Sequence, residues 1–555
     1  MCGVRTPLRV PIAAAVALLV ALPPAASASQ VTKQADTDDG NCTTMNCSLR
    51  DAVKYGPAND VIAVPAGTYH LTLNPTPELV VSHPLTIVGA PRSPTTITAD
   101  GAHRVLEIPD AVASGPVTLR RITVTGGNGE QTGMGGGILN TSGKLLTLDH
   151  ARVTGNNADY TNFANTSIGQ LGGAGIYSDG PLTGTNSTID HNTMTMHVAG
   201  SLNFTGGAGV YAQNGAVTLT NTEVRDNTII LSAAEAGSAE VEQNGGGGIF
   251  EVGVPSLTLN ASTIAGNAVT VSGGDPNPHE NGGGGIYALF GDVAATNSTL
   301  SGNTVHTFSA VVDNGGGGLY SAKAHATLAS ATVADNTASG SVDAGGGIYR
   351  YGGEITPRNT IIARNHGGVG ANCLGDVSSQ GHNLDSGNTC GLAGPGDKIN
   401  VAKPFVGPLA QNGGPTRTQA LLKGSPAINA GALCPKVDQR GHSRPRGRAC
   451  DIGAVEADVP NVVTGGTSNV KTKSAKLKGT VNPNGFSTTY RFEFGKTTKY
   501  AKKTAAKSAG SGSTAKAIAL KVSKLKPGTT YHYRLVATNA FGTTFGADKT
   551  FKTHK

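Results

Sequence analysis

Short runs of alternating apolar and polar residues recur along the middle of the chain. Leu257-Thr-Leu-Asn-Ala-Ser-Thr-Ile264 is typical of these runs. A period of two residues predicts short strands that bury one side. The runs are rich in Gly, Thr, Ser, Asn and Val and lack stretches of Ala, Leu, Glu and Lys at helical spacing, so helical repeats are not expected.

Two motifs repeat together along these runs. A glycine cluster followed by an aliphatic and then an aromatic residue recurs at steps of 29–39 residues. The aromatic residues are Tyr177, Tyr211, Phe250, Tyr287, Tyr320 and Tyr349. A second motif follows each cluster and closes on Asn156, Asn192, Asn227, Asn267, Asn303, Asn336 and Asn365. Two motifs that share one variable period define a repeating coil.

The coil predicts an all-β solenoid. Each coil has room for about three short strands, whereas a propeller blade needs four. In a parallel β-helix, each coil lays its strands on those of the next, and only this stacking buries the inner face. We therefore expect a parallel β-helix over residues 61–370. The variable segments between asparagine and glycine cluster, such as 268–281 and 304–314, are expected to be surface loops.

The repeated asparagines and glycines have structural interpretations. Asparagine tolerates left-handed backbone at turns, and asparagine amides stacked at about 4.8 Å can hydrogen-bond along the solenoid. We therefore expect the asparagines to form a structural ladder rather than a ligand site. The glycine clusters allow sharp bends with positive φ. No Gly-Lys-Ser/Thr sequence follows them, so they do not indicate phosphate loops.

The aromatic column is the strongest candidate for a binding surface. Neighbouring residues in a strand face opposite sides. If Ile176, Val210 and Ile286 point inward, then Tyr177, Tyr211 and their equivalents point outward, where a row of rings would suit stacking on sugar faces. The alternative is that turn geometry breaks the alternation and the rings stack internally.

The composition favours many turns and a core poor in aromatic residues. Of 555 residues, 79 are glycine, while aromatic residues make up 5% and charged residues 14%. There is too little charge for a coiled coil, and the glycine lacks the period of collagen. No segment after the start of the chain approaches 18 consecutive apolar residues, so no transmembrane segment is expected in the mature protein.

Residues 1–28 read as a secretory signal peptide. Arg5 and Arg9 precede the apolar run Ile12–Leu22, and Ala26-Ser27-Ala28 is a small-residue cleavage site. The mature chain then keeps six cysteines, an even number in an oxidising compartment. They fall into three local pairs, for which local disulfides are the simplest of 15 connectivities: Cys42 with Cys47, Cys373 with Cys390, and Cys434 with Cys450.

Both ends of the solenoid carry segments that differ from the coils. In the N-terminal region 29–60, Ser48–Tyr55 predicts a short helix with Ser48 as its N-cap and Asp51 at N3. This helix would plug the first coil, ahead of a first strand at Asp60–Val64, because an open solenoid end aggregates edge to edge. Residues 371–456, with their two cysteine pairs, would close the other end.

Several motifs resemble those of secreted bacterial families. The coil motifs resemble the pectin-lyase-like right-handed β-helix and the repeats of chlamydial polymorphic outer-membrane proteins. Cys47-Ser-Leu-Arg-Asp-Ala52 is similar to the signature of CSLREA domains, with Asp51 in place of glutamate. Residues 371–456 resemble the choice-of-anchor Q domain in Gly424-Ser-Pro-Ala-Ile-Asn-Ala-Gly431, Asp438-Gln-Arg-Gly441 and Cys450-Asp-Ile-Gly-Ala454. Proteins of these families are secreted bacterial surface proteins, and most of them have no assigned reaction. The resemblance implies a protein of this kind.

The composition shifts at Pro460. Residues 460–555 carry 18 basic residues, 16 of them lysine, and only two acids, which gives a net charge of +16. The rest of the mature chain is acidic, at −11. Alternating runs such as Tyr531-His-Tyr-Arg-Leu-Val536 predict a β-sandwich. Leu525-Lys-Pro-Gly-Thr-Thr-Tyr531 resembles the tyrosine corner of fibronectin type III domains.

The acids of the repeats do not form a catalytic pattern. A glycosidase needs two or three converging carboxylates, and a lyase needs a calcium site with a basic residue. The acidic residues are scattered: Asp179, Asp190, Asp226, Glu251, Asp292 and Asp335. Glu251 and Arg350 share one repeat position, but they are three coils apart, about 15 Å. Asp36-Thr-Asp-Asp-Gly-Asn41 lacks the later glutamate of an EF-hand, so it is expected to be a solvated segment.

These features favour a secreted or cell-wall-associated protein without catalytic residues, metal or cofactor. Its solenoid would bind extracellular polysaccharide or another surface partner, and its basic domain would associate with anionic cell-wall polymer. Nucleic acid is not expected as a partner of an exported protein. The alternative is a polysaccharide lyase or glycoside hydrolase with its site in the long insertions.

Overall fold

A computed structural model describes residues 29–555 apart from 75–76, 102, 111–114, 130–132, 161–167, 199–200, 234–240, 254, 273–278, 308–312 and 341–343. The predicted signal peptide, residues 1–28, lies outside the described residues. Within them, no helix is both long and apolar enough to span a bilayer.

Three long parallel sheets run the length of the solenoid, and each coil contributes one strand to each. Sheet 1 consists of Asp60–Val64, Leu85–Gly89, Val117–Arg120, Leu146–Asp149, Leu182–Thr185, Val217–Thr220, Ser256–Asn260, Asp292–Thr296, His325–Ala329 and Glu354–Arg358. Sheet 2 consists of Gly67–His70, Thr95–Thr98, Thr123–Thr125, Arg152–Thr154, Thr188–Asp190, Glu223–Arg225, Thr263–Ala265, Thr299–Ser301, Thr332–Ala334, Ile361–Ala363 and Leu384–Asp385. Sheet 3 consists of Leu79–Val80, Leu106–Ile108, Ile138–Asn140, Ile176–Ser178, Val210–Gln213, Ile249–Val252, Ile286–Leu289, Leu319–Ala322, Ile348–Tyr351 and Cys373–Leu374.

Equivalent residues of successive coils pair in register, which confirms the predicted parallel β-helix. Ile176 pairs with Val210, and Val210 pairs with Ile249, all in parallel strands. These aliphatic residues belong to one continuous buried cluster that runs through the coils. Alternate residues of each strand leave this core, as the period of two requires.

The segments expected as surface loops are in part strands, which corrects that expectation. They form a fourth parallel sheet beside the coils, the lateral sheet: Asn157–Tyr160, Thr193–Val198, Thr228–Ala233, Ala268–Ser272, Thr304–Thr307 and Thr337–Ser339. A further small sheet follows it: Ile168–Gly169, Leu202–Asn203 and Val241–Glu242. The lateral sheet has its own apolar cluster, including Met194, Ile229 and Val269. We call these variable segments between each asparagine and the next glycine cluster the excursions. They stack for the same reason as the coils, because only stacking buries their apolar side chains.

The N-terminal helix spans Leu49–Tyr55 and has the predicted capping box. The Ser48 hydroxyl accepts a hydrogen bond from the Asp51 amide, and the Asp51 carboxylate accepts one from the Ser48 amide. The helix buries Leu49, Ala52 and Val53 in the cluster of the first coils. It therefore packs against the core of the first coils.

The C-terminal end of the solenoid folds back along the outside of sheet 2. We call residues 416–454 the strap. Thr416 Oγ1 donates to the Ala261 carbonyl at 3.0 Å, and the Ala454 amide donates to Thr332 Oγ1 at 3.1 Å. A hairpin of Val406–Ala410 and Thr418–Leu421 precedes and enters the strap. Residues far apart in sequence thus cover several coils of sheet 2.

Buried ion pairs and one disulfide, Cys434–Cys450, hold the strap and the residues just after it together. Arg440 pairs with Asp438 at 2.8 Å, and Arg444 pairs with Glu456 at 2.9 Å, with all four side chains at most 1% exposed. The three predicted local disulfides are confirmed: Cys42–Cys47, Cys373–Cys390 and Cys434–Cys450.

Two antiparallel sheets with one shared core follow the solenoid. The first sheet consists of Asn461–Ser468, Ser474–Asn482 and Lys516–Ser523. The second consists of Thr488–Gly495, Lys502–Lys503, Lys507–Gly510, Thr530–Thr538, Thr543–Phe545 and Lys549–Lys552. Leu477, Phe492 and Leu535 lie in the core between them. The Tyr531 hydroxyl accepts a hydrogen bond from the Lys526 amide at 3.0 Å, the contact of a tyrosine corner.

Candidate functional site

The aromatic column is buried, so the candidate of an exposed binding row is wrong and the rings stack internally, as the alternative expected. The rings stack coil on coil, with centroid separations of 4.8–5.3 Å from Tyr177 to Tyr349. The four central rings are fully buried, and the two end rings are 5% exposed. The column is formed by Tyr177, Tyr211, Phe250, Tyr287, Tyr320 and Tyr349. It has no ring face available for a sugar.

The excursions are the physical reason for this burial. The rings do point away from the main core, since they form a separate cluster. The excursion that returns to each glycine cluster covers them: the Tyr287 hydroxyl donates to the Glu280 carbonyl at 2.9 Å, and the Tyr320 hydroxyl donates to the Asp313 carbonyl at 3.0 Å. Burial raises the pKa of both hydroxyls well above their usual range. The residues of the sheet 3 strands therefore do alternate between the main core and the outer side. The outer side is itself buried, because the excursions cover it.

The glycine clusters and the aromatic column depend on each other. A Cβ atom placed on Gly282 would lie 2.5 Å from Cδ2 of Tyr320 in the next coil and 2.1 Å from the Gly315 carbonyl. A Cβ atom on Gly206 would lie 2.7 Å from Cδ2 of Phe250. Each ring packs where the neighbouring coil has no side chain. The recurring Gly-aromatic motif is thus a packing rule and not a ligand site.

The seven predicted asparagines form one buried ladder. At each step the Nδ2 of one asparagine donates to the Oδ1 of the next at 2.9 Å, as from Asn227 to Asn267. The members are Asn156, Asn192, Asn227, Asn267, Asn303, Asn336 and Asn365. The Asn365 amide group continues the ladder to Asn372 at 3.0 Å. Every amide is used within the ladder, which leaves no polar atom for a ligand.

Sequence reasoning missed a second asparagine ladder. Asn244 Nδ2 donates to Asn281 Oδ1 at 3.0 Å, and the backbone N–H of Asn281 donates to Asn314 Oδ1 at 2.8 Å. Each of the three stands directly before a glycine cluster. This position was the signal in the sequence that could have identified the ladder.

Several acids of the solenoid are engaged in ion pairs, and where three of them meet, Asp190, Glu223 and Asp226, they all bind Arg225. Asp190 pairs with Arg152 at 2.7 Å, and Asp335 pairs with Arg364 at 2.7 Å. Burial opposes ionisation of Asp190, but the bonds from Arg152 outweigh it and hold its pKa below the usual value. Among the described residues, no group of three or more His, Cys, Asp or Glu side chains is placed to hold a metal ion.

Glu251 is a buried structural acid. It is fully buried, and neither carboxyl oxygen has a hydrogen-bond partner within the described chain. Burial raises its pKa to about 9, with the nearby Gly291 amide offsetting only part of the effect. The group is therefore neutral at pH 7. Arg350, three coils away in the same column, pairs with Asp376 instead.

The acidic N-terminal segment is used in ion pairs with the end cap. Asp36 binds Arg50 through both carboxylate oxygens, at 2.8 and 2.9 Å. Asp38 pairs with Lys54 at 2.6 Å, and Asp39 pairs with Lys33. These contacts tie the segment to the helix. They leave its carboxylates neutralised by cations of the same chain.

The candidate functional site is a lysine surface on the first sheet of the sandwich. Strand alternation buries Ala475 and Leu477 and exposes Lys476 and Lys478. Lys476 lies directly opposite Lys521 on the neighbouring strand. We call the surface of Lys476, Lys478 and Lys521, together with the exposed Lys473 and Lys524 at the adjoining strand ends, the lysine face. Like charges placed directly opposite each other cost free energy, so this arrangement needs another explanation than stability.

The lysines of the sandwich have no internal counter-charges. All 16 lysines of residues 460–555 are exposed, and within the described chain none of them forms an ion pair. Both acids of this region belong to the second sheet or its loops: Glu493 accepts from Arg491 and Arg534, each at 2.8 Å, and Asp548 pairs with His532. Burial opposes ionisation of Glu493, but the two arginines hold its pKa below the usual value. The acids thus neutralise arginine and histidine, and the lysine face keeps its full charge.

The strand pairing defines this chain as a parallel β-helix with an appended antiparallel β-sandwich. No family model and no curated protein matches it. Among solved structures, the chain is similar to pectate lyase Pel9A, with 13% identity over 78% of this chain and 98% of that chain and a TM-score of 0.43. It is also similar to the sensor domain of the anti-sigma factor RsgI4 of Pseudobacteroides cellulosolvens, with 20% identity over 18% of this chain and 96% of that chain and a TM-score of 0.15. The fold assignment rests on the strand register.

Proposed function

We propose that the protein is exported and acts outside the cell as a non-catalytic binding protein, in which the lysine face holds an anionic cell-wall polymer. The observation that carries this proposal is the set of 16 exposed, unpaired lysines beside a sheet without acids. The three disulfides support an oxidising compartment. The pairing of Asp190 and Asp335 with arginines and the burial of Glu251 support a role without catalysis.

The chemistry of lysine defines the kind of polymer. A lysine ammonium is a compact, mobile charge, whereas arginine binds carboxylate or phosphate in a fixed bidentate geometry. A surface of lysines therefore selects charge density rather than one precise ligand shape. Wall teichoic acids and polyuronic acids have this character. The acidic solenoid, at −11, would be held away from the same polymer.

A charge-removal variant of the full-length protein tests the proposal. Lys476→Gln/Lys521→Gln removes the opposed pair at the centre of the lysine face. A basic residue near an anionic surface contributes about 1 kcal/mol, so the double variant should bind teichoic acid or polygalacturonate about 30-fold more weakly at low salt. Binding of the unaltered protein should also fall steeply between low salt and 1 M salt, where the Debye length is about 3 Å.

The matched control removes two exposed lysines from the end of the solenoid. Lys403→Gln/Lys423→Gln gives the same net charge outside the lysine face. It should bind the polymer almost as well as the unaltered protein. Equal weakening by both double variants would mean that net charge alone acts. No affinity of the full-length protein at low salt would refute the proposal.

A further inference from the structure

A cleft of about 660 Å³ separates the end of the solenoid from the sandwich. The hairpin that enters the strap forms one wall, and turns of the sandwich near Phe486 and Phe541 form the other. The Asn484 side chain donates to the Val459 carbonyl at 2.6 Å, and the Asn539 side chain donates to the Asp458 carbonyl at 2.7 Å, which fixes the two walls. Ligand sites of 300–1,000 Å³ occur preferentially at such domain junctions.

Two aromatic rings lie in the cleft. The centroids of Phe486 and Phe541 are 4.5 Å apart, with an interplanar angle of 74°. An edge-to-face pair leaves ring faces that the partner does not cover. Phe541 is held against the apolar cluster of the solenoid end, whereas Phe486 is 37% exposed. The cleft therefore offers an apolar ring surface for the C–H face of a ligand.

Amide groups next to the rings still have hydrogen-bonding capacity. Asn482 Oδ1 accepts from the Asn484 amide, and no described residue is a partner of its Nδ2. Asn412 Nδ2 donates to the Thr418 carbonyl at 2.7 Å, which leaves its Oδ1 without a partner among the described residues. Gln411 is exposed beside it. Together these side chains can donate to and accept from the hydroxyls of a polar ligand.

The charged groups of the cleft are compensated. Asp458 binds Arg440 through one oxygen at 2.8 Å and Arg446 through the other at 2.7 Å. Burial, together with Arg440 and Arg446, lowers the pKa of His442, which favours the neutral form of the ring. The cleft thus differs from the lysine face, because no unpaired charge in its walls attracts an anion. Its chemistry favours a neutral ligand rich in hydroxyl groups.

We propose that this cleft binds a neutral pyranose unit of a polysaccharide, with a face of the sugar on Phe486 and its hydroxyls at Gln411, Asn412 and Asn482. This goes beyond the role of the lysine face, because it gives the protein a second site with a different ligand. A chain that binds a neutral glycan at the junction and an anionic polymer on the sandwich can link the two.

Titration calorimetry with the full-length protein in 1 M NaCl tests the proposal, since the lysine face is screened under these conditions. The probes are pentasaccharides of β-1,4-glucan, β-1,3-glucan, β-1,4-mannan and α-1,4-glucan. At least one should bind. Phe486→Ala should weaken binding of that probe about tenfold, and Gln411→Trp should abolish it by filling the cleft. The control Phe290→Ala removes an exposed ring on the solenoid, 58% exposed, and should leave binding unchanged.

Three results would overturn the proposal. The first is a lack of binding by all four probes at millimolar concentration. The second is unchanged binding in both Phe486→Ala and Gln411→Trp; the latter alters an exposed side chain and so tests the site even if Phe486→Ala unfolds the junction. The third is tighter binding of an oligogalacturonate than of every neutral probe in 1 M NaCl. None of these results bears on binding of anionic polymer at low salt.

Discussion

Replacing Glu251 by glutamine should stabilise the solenoid, and the gain should grow with pH. Other residues at this position of sheet 3 donate to carbonyls of the adjacent turn: Ser178 Oγ donates to Gly180 at 2.9 Å, and Asn140 Nδ2 donates to Lys144 at 3.0 Å. Glu251 makes no such bond, and its buried carboxyl group is tolerated only while it is protonated, whereas a glutamine amide is neutral at any pH and can donate. Glutamine also keeps the shape of the side chain.

The size of the effect follows from the pKa of Glu251. Its pKa is about 9 in the folded protein, against 4.5 as the ordinary value. Between these values the unfolded chain releases a proton that the folded chain retains, so the stability of the unaltered protein falls as pH rises. One pH unit corresponds to about 1.4 kcal/mol, which gives roughly 3 kcal/mol at pH 7 and less than about 1 kcal/mol at pH 5. The glutamine variant lacks this loss.

Urea unfolding followed by circular dichroism at pH 5, 7 and 8.5 provides the measurement. The difference in the free energy of unfolding between Glu251→Gln and the unaltered protein should rise across this series, because all other titrating groups are common to both. Glu354→Gln, at an exposed position of sheet 1, is the control and should show no such trend. A difference that stays constant from pH 5 to 8.5 would refute the reasoning that Glu251 is buried in its protonated form.

Three further substitutions and one control, Gly302→Ala, test the packing of the coils, each by thermal and urea unfolding. Gly282→Ala should lower the free energy of unfolding by several kcal/mol because the added Cβ meets backbone and ring atoms. The control Gly302→Ala has a positive φ but open space around it and should lower it by only about 1–2 kcal/mol. Equal losses of stability would contradict the glycine-aromatic packing. Asn267→Ala should lower the free energy of unfolding by about 1–3 kcal/mol or more, because it leaves the neighbouring asparagines of the ladder without a hydrogen-bond partner. Unchanged stability would mean that water replaces the amide. Phe250→Ala should lower the free energy of unfolding by about 3–5 kcal/mol without changing polysaccharide binding. Weaker binding by a folded variant would mean that the aromatic column is a binding site after all.

The solenoid could be predicted from sequence because its information is local and repeated. Residues such as Ile249 recur with the same neighbours in each coil, so that period, strand direction and ladder positions follow from one pattern. The capping box at Ser48 is equally local, since four consecutive residues contain it. Elements of this kind need no knowledge of distant contacts.

The burial of the aromatic column could not be predicted in the same way. Alternation correctly turns Tyr320 away from the main core, but its environment depends on where the excursion before the glycine cluster folds. The excursions vary in length and lack a strict pattern, so the sequence does not show that they stack. The junction cleft is non-local for the same reason, because Gln411 and Phe486 come from different units of the chain.

The strap has a consequence for how this solenoid can change in evolution. Repeat proteins gain and lose coils readily by duplication, because each repeat contacts only its neighbours. Here the strap contacts several coils at once. The Arg417 backbone amide donates to the Glu223 carboxylate at 2.6 Å, the Thr299 hydroxyl donates to the Gln439 side chain at 2.6 Å, and the Ala454 amide donates to the Thr332 hydroxyl at 3.1 Å. One inserted coil would shift these partners by about 4.8 Å relative to each other. The fixed length of the strap therefore fixes the number of coils between Glu223 and Thr332. Descendants of this chain should gain or lose coils only in the part of the solenoid before Glu223.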